Sequence, residues 1–365
     1  MWKITNADQF DTPYLAIDVE VVKKNILSLI NMFGGTQRLR PHVKTHKSSA
    51  VVKLMLEAGI SKFKCSTIAE AEMVAASGGG DILLAYPVHG VKIDRFLKLA
   101  STFQDTRFSC LTSDQDNITH LASAAAEARV TVNVLIDLNV GMNRTGIRPD
   151  ARVEDLFVLC KSLGNIHIAG LHAYDGHLID VDEDIRLSKA RSGFETVEQL
   201  IKRLKLAGYD VETIVAGSTP TLNFYAGKPN VECSPGTFIY WDQHYQKQFP
   251  ELPFKHAAVL VAKVIDQPAE NISCIDLGYK SISSEDSPCE CAVFPGFPEL
   301  KVLGQSEEHM LVQTKEKQLA LGQIIYALPF HIGRTCNLYS EHFVIQEDII
   351  KDGWESIAAI RQITF

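Results

Sequence analysis

A parallel α/β architecture followed by a smaller β domain is what this sequence predicts, on three observations. From about residue 14 to residue 242, short apolar strand-like runs alternate with helix-like ones, the signature of a parallel sheet with crossover helices. No Gly-x-Gly-x-x-Gly follows any of those strands, which counts against a doubly wound dinucleotide sheet, the alternative to a barrel. After about Pro250 helical periodicity weakens, and short strands separated by turn residues take over.

Taken in order, Tyr14 to Val19 alternates like a strand and Glu20 to Phe33 like a helix. A short alternating run precedes Lys44, and Ser48 to Ala58 reads as a helix. Lys62 to Ser66 reads as a strand, and Ile68 to Ser77 as a helix closed by Gly78-Gly79-Gly80. Asp81 to Tyr86 is short and apolar, as a buried parallel strand requires. Helix Gly90 to Ser101, strand Arg107 to Thr112 and helix Asp114 to Ala128 follow, with Asp114 placed to cap the last. Strand Val130 to Leu138, helix Arg152 to Leu163 and strand Ile166 to Tyr174 come next. The longest helix, Asp182 to Ala207, stops at Gly208, a suitable C-cap. Glu212 to Gly217 is a strand, Thr219 to Ala226 a short helix, and Val231 to Asp242 opens as a strand broken by Ser234-Pro235-Gly236. Nine strands thus compete for the eight places of a barrel. Val259 to Ile265, Ile272 to Leu277, Met310 to Lys315, Ile324 to Pro329 and Phe343 to Gln346 belong to the β domain, with Phe249-Pro250-Glu251-Leu252-Pro253 as the junction.

Composition narrows the function. The chain has 365 residues, 46% of them hydrophobic, enough for a sizeable core. A net charge of −8 argues against nucleic acid or anionic lipid as partners. No run approaches a membrane span, and Met1 to Phe10 is polar rather than a signal core, so a cytoplasmic protein is expected. Eight scattered cysteines read as reduced, buried thiols. Cys289-Glu290-Cys291 has the wrong spacing for a zinc knuckle or a redox motif.

The chemistry centres on Arg40-Pro41-His42-Val43-Lys44-Thr45-His46-Lys47, where a strand ends and a helix begins. Ligands of β/α proteins are held at such places, and a desolvated lysine there can form a Schiff base with a carbonyl. The octapeptide resembles the cofactor-lysine motif of the D-threonine aldolase and D-serine dehydratase family, pyridoxal-phosphate enzymes of the alanine-racemase-like fold. The resemblance implies a (β/α)8 barrel over residues 12–250, and a β-rich domain over 251–365 joined by residues 1–11. The surplus strand, 14–19, is then shared with the second domain. It makes Lys44 the Schiff-base residue and puts His42 beside the cofactor.

Later segments extend the resemblance. Asp137 to Gly146 resembles the family's Asp-x-Gly-Met-x-Arg-x-Gly stretch, so Arg144 is expected at the cofactor's ring hydroxyl, where a fixed guanidinium stabilises a phenolate. His172-Ala173-Tyr174-Asp175-Gly176-His177 ends the next strand. The resemblance has it line the cofactor ring through His172, with Tyr174 and His177 as catalytic candidates near the reacting carbon. Gly217-Ser218-Thr219-Pro220-Thr221 and Ser234-Pro235-Gly236-Thr237 are hydroxyl-rich turns after the last two strands, the usual phosphate site of a barrel. Gly217, Ser218, Thr219, Gly236 and Thr237 are the expected phosphate residues. Asp276-Leu277-Gly278-Tyr279-Lys280 with Ser283 and Asp286 resembles a further family segment at the site mouth, and Lys280 is the rival lysine.

One departure bears on the reaction. Family members bind a divalent cation, zinc or manganese, through a His-x-Cys or His-x-Asp pair. Here His331 is present but Gly333 occupies the second ligand position, and Cys336 lies too far along to match. The resemblance therefore implies a pyridoxal-phosphate lyase acting on a small D-β-hydroxy amino acid, aldolase or dehydratase, in a homodimer. An amino-acid racemase on the same fold and a non-catalytic pyridoxal-phosphate carrier are the alternatives. The β domain argues against the carrier, because such a domain closes a substrate site.

Overall fold

The computed structural model describes residues 2–284, 287–315 and 318–364. Seven parallel strands lie in sequence order: Lys62–Cys65, Asp81–Pro87, Arg107–Thr112, Val132–Asp137, Ile166–Ala173, Thr213–Ala216 and Glu232–Cys233. The run before Lys44 is too short to form a strand of its own, yet it bonds to both edges of this curled sheet. The Arg40 N–H donates to the Cys233 carbonyl, the Cys233 N–H to Arg38 and the Lys64 N–H to Pro41, each at 2.9 Å. Residues 38–42 thus fill the eighth place. Arg40 clamps the seam, its buried guanidinium 2.7 Å from both Asp81 and Glu232. Leu83, Leu111, Leu135, Ala169 and Val215 pack together as an apolar cluster on these strands.

The helices follow from their caps. Asp114 accepts the Asn117 N–H at 2.8 Å and opens Gln115–Ala128. Asp182 accepts the Ile185 N–H at 2.9 Å and opens Glu183–Leu206. Gly208 beyond that helix takes a φ of +82°, which glycine adopts without strain.

The chain divides into two compact units. One comprises residues 29–44, 51–236 and 360–365, the other residues 1–28, 45–50 and 237–359. The second carries a nine-stranded sheet. Tyr14–Asp18 lies inside it, antiparallel to Ala258–Ala269 and parallel to Glu341–Gln346. Tyr14, Ala16, Val259, Val261 and Ile345 share its core. The change of unit falls at residues 236 and 237, earlier than Pro250. The Asn25 side chain explains why, since it donates to the carbonyls of both Ile239 and Lys255 at 3.2 and 2.8 Å. All eight cysteines are free thiols, seven buried and Cys289 exposed. No described helix is long and apolar enough to cross a membrane.

Candidate active site

Beyond residue 42 the chain tightens into the 3-10 turn Val43–Thr45, so Lys44 emerges where the barrel strands end. The Lys44 N–H donates to His42 Nδ1 at 3.3 Å and fixes the turn. The Lys44 side chain lines a cavity of about 360 Å³, within the range of small-molecule sites. Burial lowers its pKa, the Arg144 charge lowers it further, and Glu70 opposes. A lysine so placed yields the neutral, nucleophilic amine at lower pH than an exposed one.

His42, Arg144, His172 and Tyr174 line the same cavity. His172 is buried, with Nδ1 2.7 Å from Asp137 Oδ1. Burial first, then the Lys64 charge, brings its pKa down to about 4. Burial alone would raise the Asp137 pKa, but hydrogen bonds from His172 and Thr145 hold it below the ordinary value. The pair is therefore a neutral imidazole donating from Nδ1 to a carboxylate, and Nε2 is a buried acceptor with no protein partner. Tyr174 lies between two cations, with Lys64 Nζ and Arg144 Cζ 4.9 and 5.0 Å from its ring centre. Its phenol folds back over Gly176, where a Cβ would sit 2.1 Å from the hydroxyl oxygen.

The two expected phosphate turns meet each other. The Gly236 N–H donates to Thr219 Oγ1 at 3.3 Å, and Thr221 Oγ1 accepts the Ser218 N–H at 3.1 Å. Gly217 takes a φ of +84°, and a Cβ there would fall 2.6 Å from the Tyr225 ring and 2.8 Å from Cys233 Sγ. Ser218, Thr219 and Ser234 are buried hydroxyls. Asp175 turns to this side rather than to the cavity, and Thr221 donates to it at 3.1 Å. Burial raises its pKa to about 6 against the pull of those hydroxyls.

Not every candidate joins this constellation. His177 is absent from the cavity lining, and its ring packs on Gly141, where a Cβ would lie 2.6 Å from Nε2. Thr237 opens the turn Thr237–Ile239 and belongs to the other unit. Lys280 is exposed in a turn bonded to the carbonyl of Glu307. The Ser283 N–H donates to Thr335 Oγ1 at 3.3 Å, and Asp286 lies outside the described residues. His331 caps the short helix Ile332–Cys336, its Nδ1 accepting the Arg334 N–H at 3.2 Å. Gly333 offers no donor, and burial holds the Cys336 thiol protonated. Among the described residues no group of three or more His, Cys, Asp or Glu side chains is placed to hold a metal ion.

Lys64 went unforeseen. It is buried, lines the cavity, and has its pKa lowered to about 7 by burial and then by the Lys44 charge. The available signal was a lysine inside a barrel strand, where the core leaves no water to solvate it.

The geometry suits a carbonyl cofactor that carries a phosphate and an aromatic ring. Lys44 offers the amine, His172 Nε2 a buried acceptor without a partner, and the turns of Ser218, Thr219 and Ser234 a set of buried hydroxyls. Comparison with known proteins agrees. Residues 17–244 match the family described as alanine racemase, N-terminal domain, and residues 257–345 a putative serine dehydratase domain. The chain is 26% identical to a D-threonine aldolase of Arthrobacter sp., covering 94% of this chain and 92% of that one. It is 24% identical to a 3-hydroxy-D-aspartate aldolase of Paracoccus denitrificans, covering 95% and 91%. The crystal structure of D-threonine aldolase from Filomicrobium marinum shares the fold at a TM-score of 0.91 and 24% identity, covering 100% of this chain and 99% of that one.

Proposed function

The chain belongs to the alanine racemase N-terminal domain family, and on that premise we propose that it is a pyridoxal-phosphate-dependent lyase acting on D-β-hydroxy amino acids. The observation that carries this is the shared cavity, where Lys44, Arg144, His172 and Tyr174 meet. The relatives named as D-threonine aldolase, 3-hydroxy-D-aspartate aldolase and D-serine dehydratase support the substrate class.

When bound, the cofactor supplies an aldehyde for an amine to attack and a ring that accepts an electron pair. The protein does the rest. Lys44, its pKa lowered by burial and by Arg144, would present its amine to the aldehyde. Lys44 Nζ, at the same cavity, would be the base at hand for a proton at the substrate Cα. Arg144 would favour the anionic form of a ring oxygen held beside it. Tyr174 has a pKa raised by burial, which keeps its hydroxyl protonated and able to donate a hydrogen bond. His172, locked by Asp137, keeps Nε2 as a fixed acceptor. Ser218, Thr219 and the Gly236 turn, which meet through the Gly236 N–H and Thr219, would hold the phosphate.

A racemase is the second reading. It is favoured by Gly333, which offers no side-chain donor beside His331, because racemisation needs no metal. A homodimer and a cytoplasmic setting belong to the same proposal. The free thiols fit a reducing compartment, and light scattering tests the dimer. The deciding experiment incubates the holoenzyme with D- and L-amino acids, with and without Mn²⁺ or Zn²⁺, and follows aldehyde, keto acid and enantiomer. Aldehyde or keto acid from D-β-hydroxy amino acids supports the lyase. Enantiomer alone supports the racemase.

A further inference from the structure

A second cavity, of about 390 Å³, lies beside the carbonyl site, and Ser66 and Tyr86 line both. Its walls are apolar at Ile68, Leu84 and Ile363. Its charged lining residues are Lys92, Arg95 and Arg361, with no aspartate or glutamate among them. All three are exposed cations, gathered at one recess of a chain whose net charge is −8. Several other cations of the same unit are paired: Arg40 with Asp81 and Glu232, Lys189 with Asp180, Arg203 with Glu154 and Lys228 with Glu198. Lys92 instead sets its amine 4.6 Å from the centre of the Tyr86 ring. Glu70 is nearby in sequence, but its carboxylate is held by the Ser66 N–H and hydroxyl at 2.7 and 2.9 Å.

Arg361 reaches this cavity from a backbone at φ +55°, a conformation that L-residues seldom hold and that clusters at functional sites. The segment is anchored by Thr364, whose N–H donates to the Glu72 carboxylate at 3.1 and 3.2 Å. Two guanidinium forks and an ammonium around an apolar recess select a carboxylate on a short carbon chain, since the forks match its two oxygens and the recess covers its methylenes.

We propose that this cavity receives the substrate's side chain, and that the enzyme prefers β-hydroxy D-amino acids ending in a second carboxylate to D-threonine and D-serine. The proposal rests on the lyase reading above. Arg95 and Arg361 bind the distal carboxylate, Lys92 adds charge, and Ser66 with Tyr86 forms the wall that the substrate passes.

The test compares kcat/KM of the holoenzyme for D-threonine, 3-hydroxy-D-aspartate and 3-hydroxy-D-glutamate, in the parent protein and in Arg95→Gln and Arg361→Gln. One of the two diacids should exceed D-threonine by about tenfold or more, and each substitution should reduce that ratio about tenfold through KM rather than kcat. Calorimetry with glutarate, which lacks the amino group, should show binding that weakens with added salt and in Arg361→Gln. A ratio that both substitutions leave unchanged, or no glutarate binding, overturns the proposal. Arg361-dependent glutarate binding without turnover of any of the three amino acids would instead overturn the lyase reading and leave the anion cavity standing.

Discussion

Lys64 holds its amine 3.1 Å from the Ser234 hydroxyl, with the Tyr174 ring on another side. Its pKa falls from 10.5 to about 7 through burial and the Lys44 charge. Between those two values the unfolded chain binds a proton that the folded chain does not, so stability rises with pH across that window. Lys64→Met should remove this slope and be the more stable protein below about pH 7, where the native lysine is buried with its charge. Thermal melts of both proteins at about pH 6 and pH 9 check this. Parallel slopes would sink the assignment.

Lys44→Ala should abolish covalent attachment of pyridoxal phosphate that borohydride can reduce, together with the visible absorbance of the holoenzyme. Lys280→Ala should leave both intact, because Lys280 is exposed in a turn of the other unit. Peptide mapping after reduction reads the result. Label on Lys280 or Lys64 in the native protein would contradict the role given to Lys44.

Asp137→Asn should cost about 1–3 kcal/mol at neutral pH, the scale of a buried hydrogen bond losing its charged partner. The native carboxylate has its pKa held below 3.8. Its contribution is therefore fully present above that value and disappears as pH falls through the lower, folded pKa. Urea melts should show the gap between variant and parent closing only in strong acid. A gap that closes by about pH 6 would mean that some other group is responsible.

Gly217→Ala should lower stability by about 1–3 kcal/mol, because a Cβ at φ +84° meets the Tyr225 ring and Cys233 Sγ. Affinity for pyridoxal phosphate should fall by about tenfold or more as the turn shifts. Equilibrium dialysis and a thermal melt separate the two effects. Native affinity in a folded variant would remove this turn from the phosphate site.

The purified protein should carry no stoichiometric zinc or manganese, and its turnover should resist chelators, because His331 has no second donor at Gly333. Gly333→Asp restores a ligand; its Cβ would lie 3.6 Å from His331 Cε1, ordinary contact. Elemental analysis of both proteins decides. One equivalent of metal in the parent, lost in His331→Ala, would show that another residue completes the site.

Lys44 and Arg144 stand out in the sequence because their motifs resemble family segments, and the two side chains line one cavity. The barrel seam was only half legible. The run before Lys44 looked like an ordinary strand, whereas residues 38–42 bond to strands from both ends of the sheet. His177 misled because adjacency along the chain does not fix direction. After the strand ends at Ala173, the backbone turns through Gly176 and sends His177 onto the loop at Gly141. Arg361 was invisible, since residues 360–365 lie far from the barrel in sequence yet belong to its unit.

The seam closed by residues 38–42 has a kinetic meaning. Leu39 pairs with Cys233 across most of the barrel's sequence, so this contact bears one of the largest loop-closure penalties in the unit. Every other neighbouring pair of barrel strands is joined by a single crossover. Closure of the ring is therefore expected to come late in folding, and with it the turn that carries Lys44. A chain with an open seam holds each motif residue and lacks the site. Local opening at the seam requires less free energy than global unfolding, so the capacity to hold the cofactor is the most sensitive reporter of whether the ring is shut.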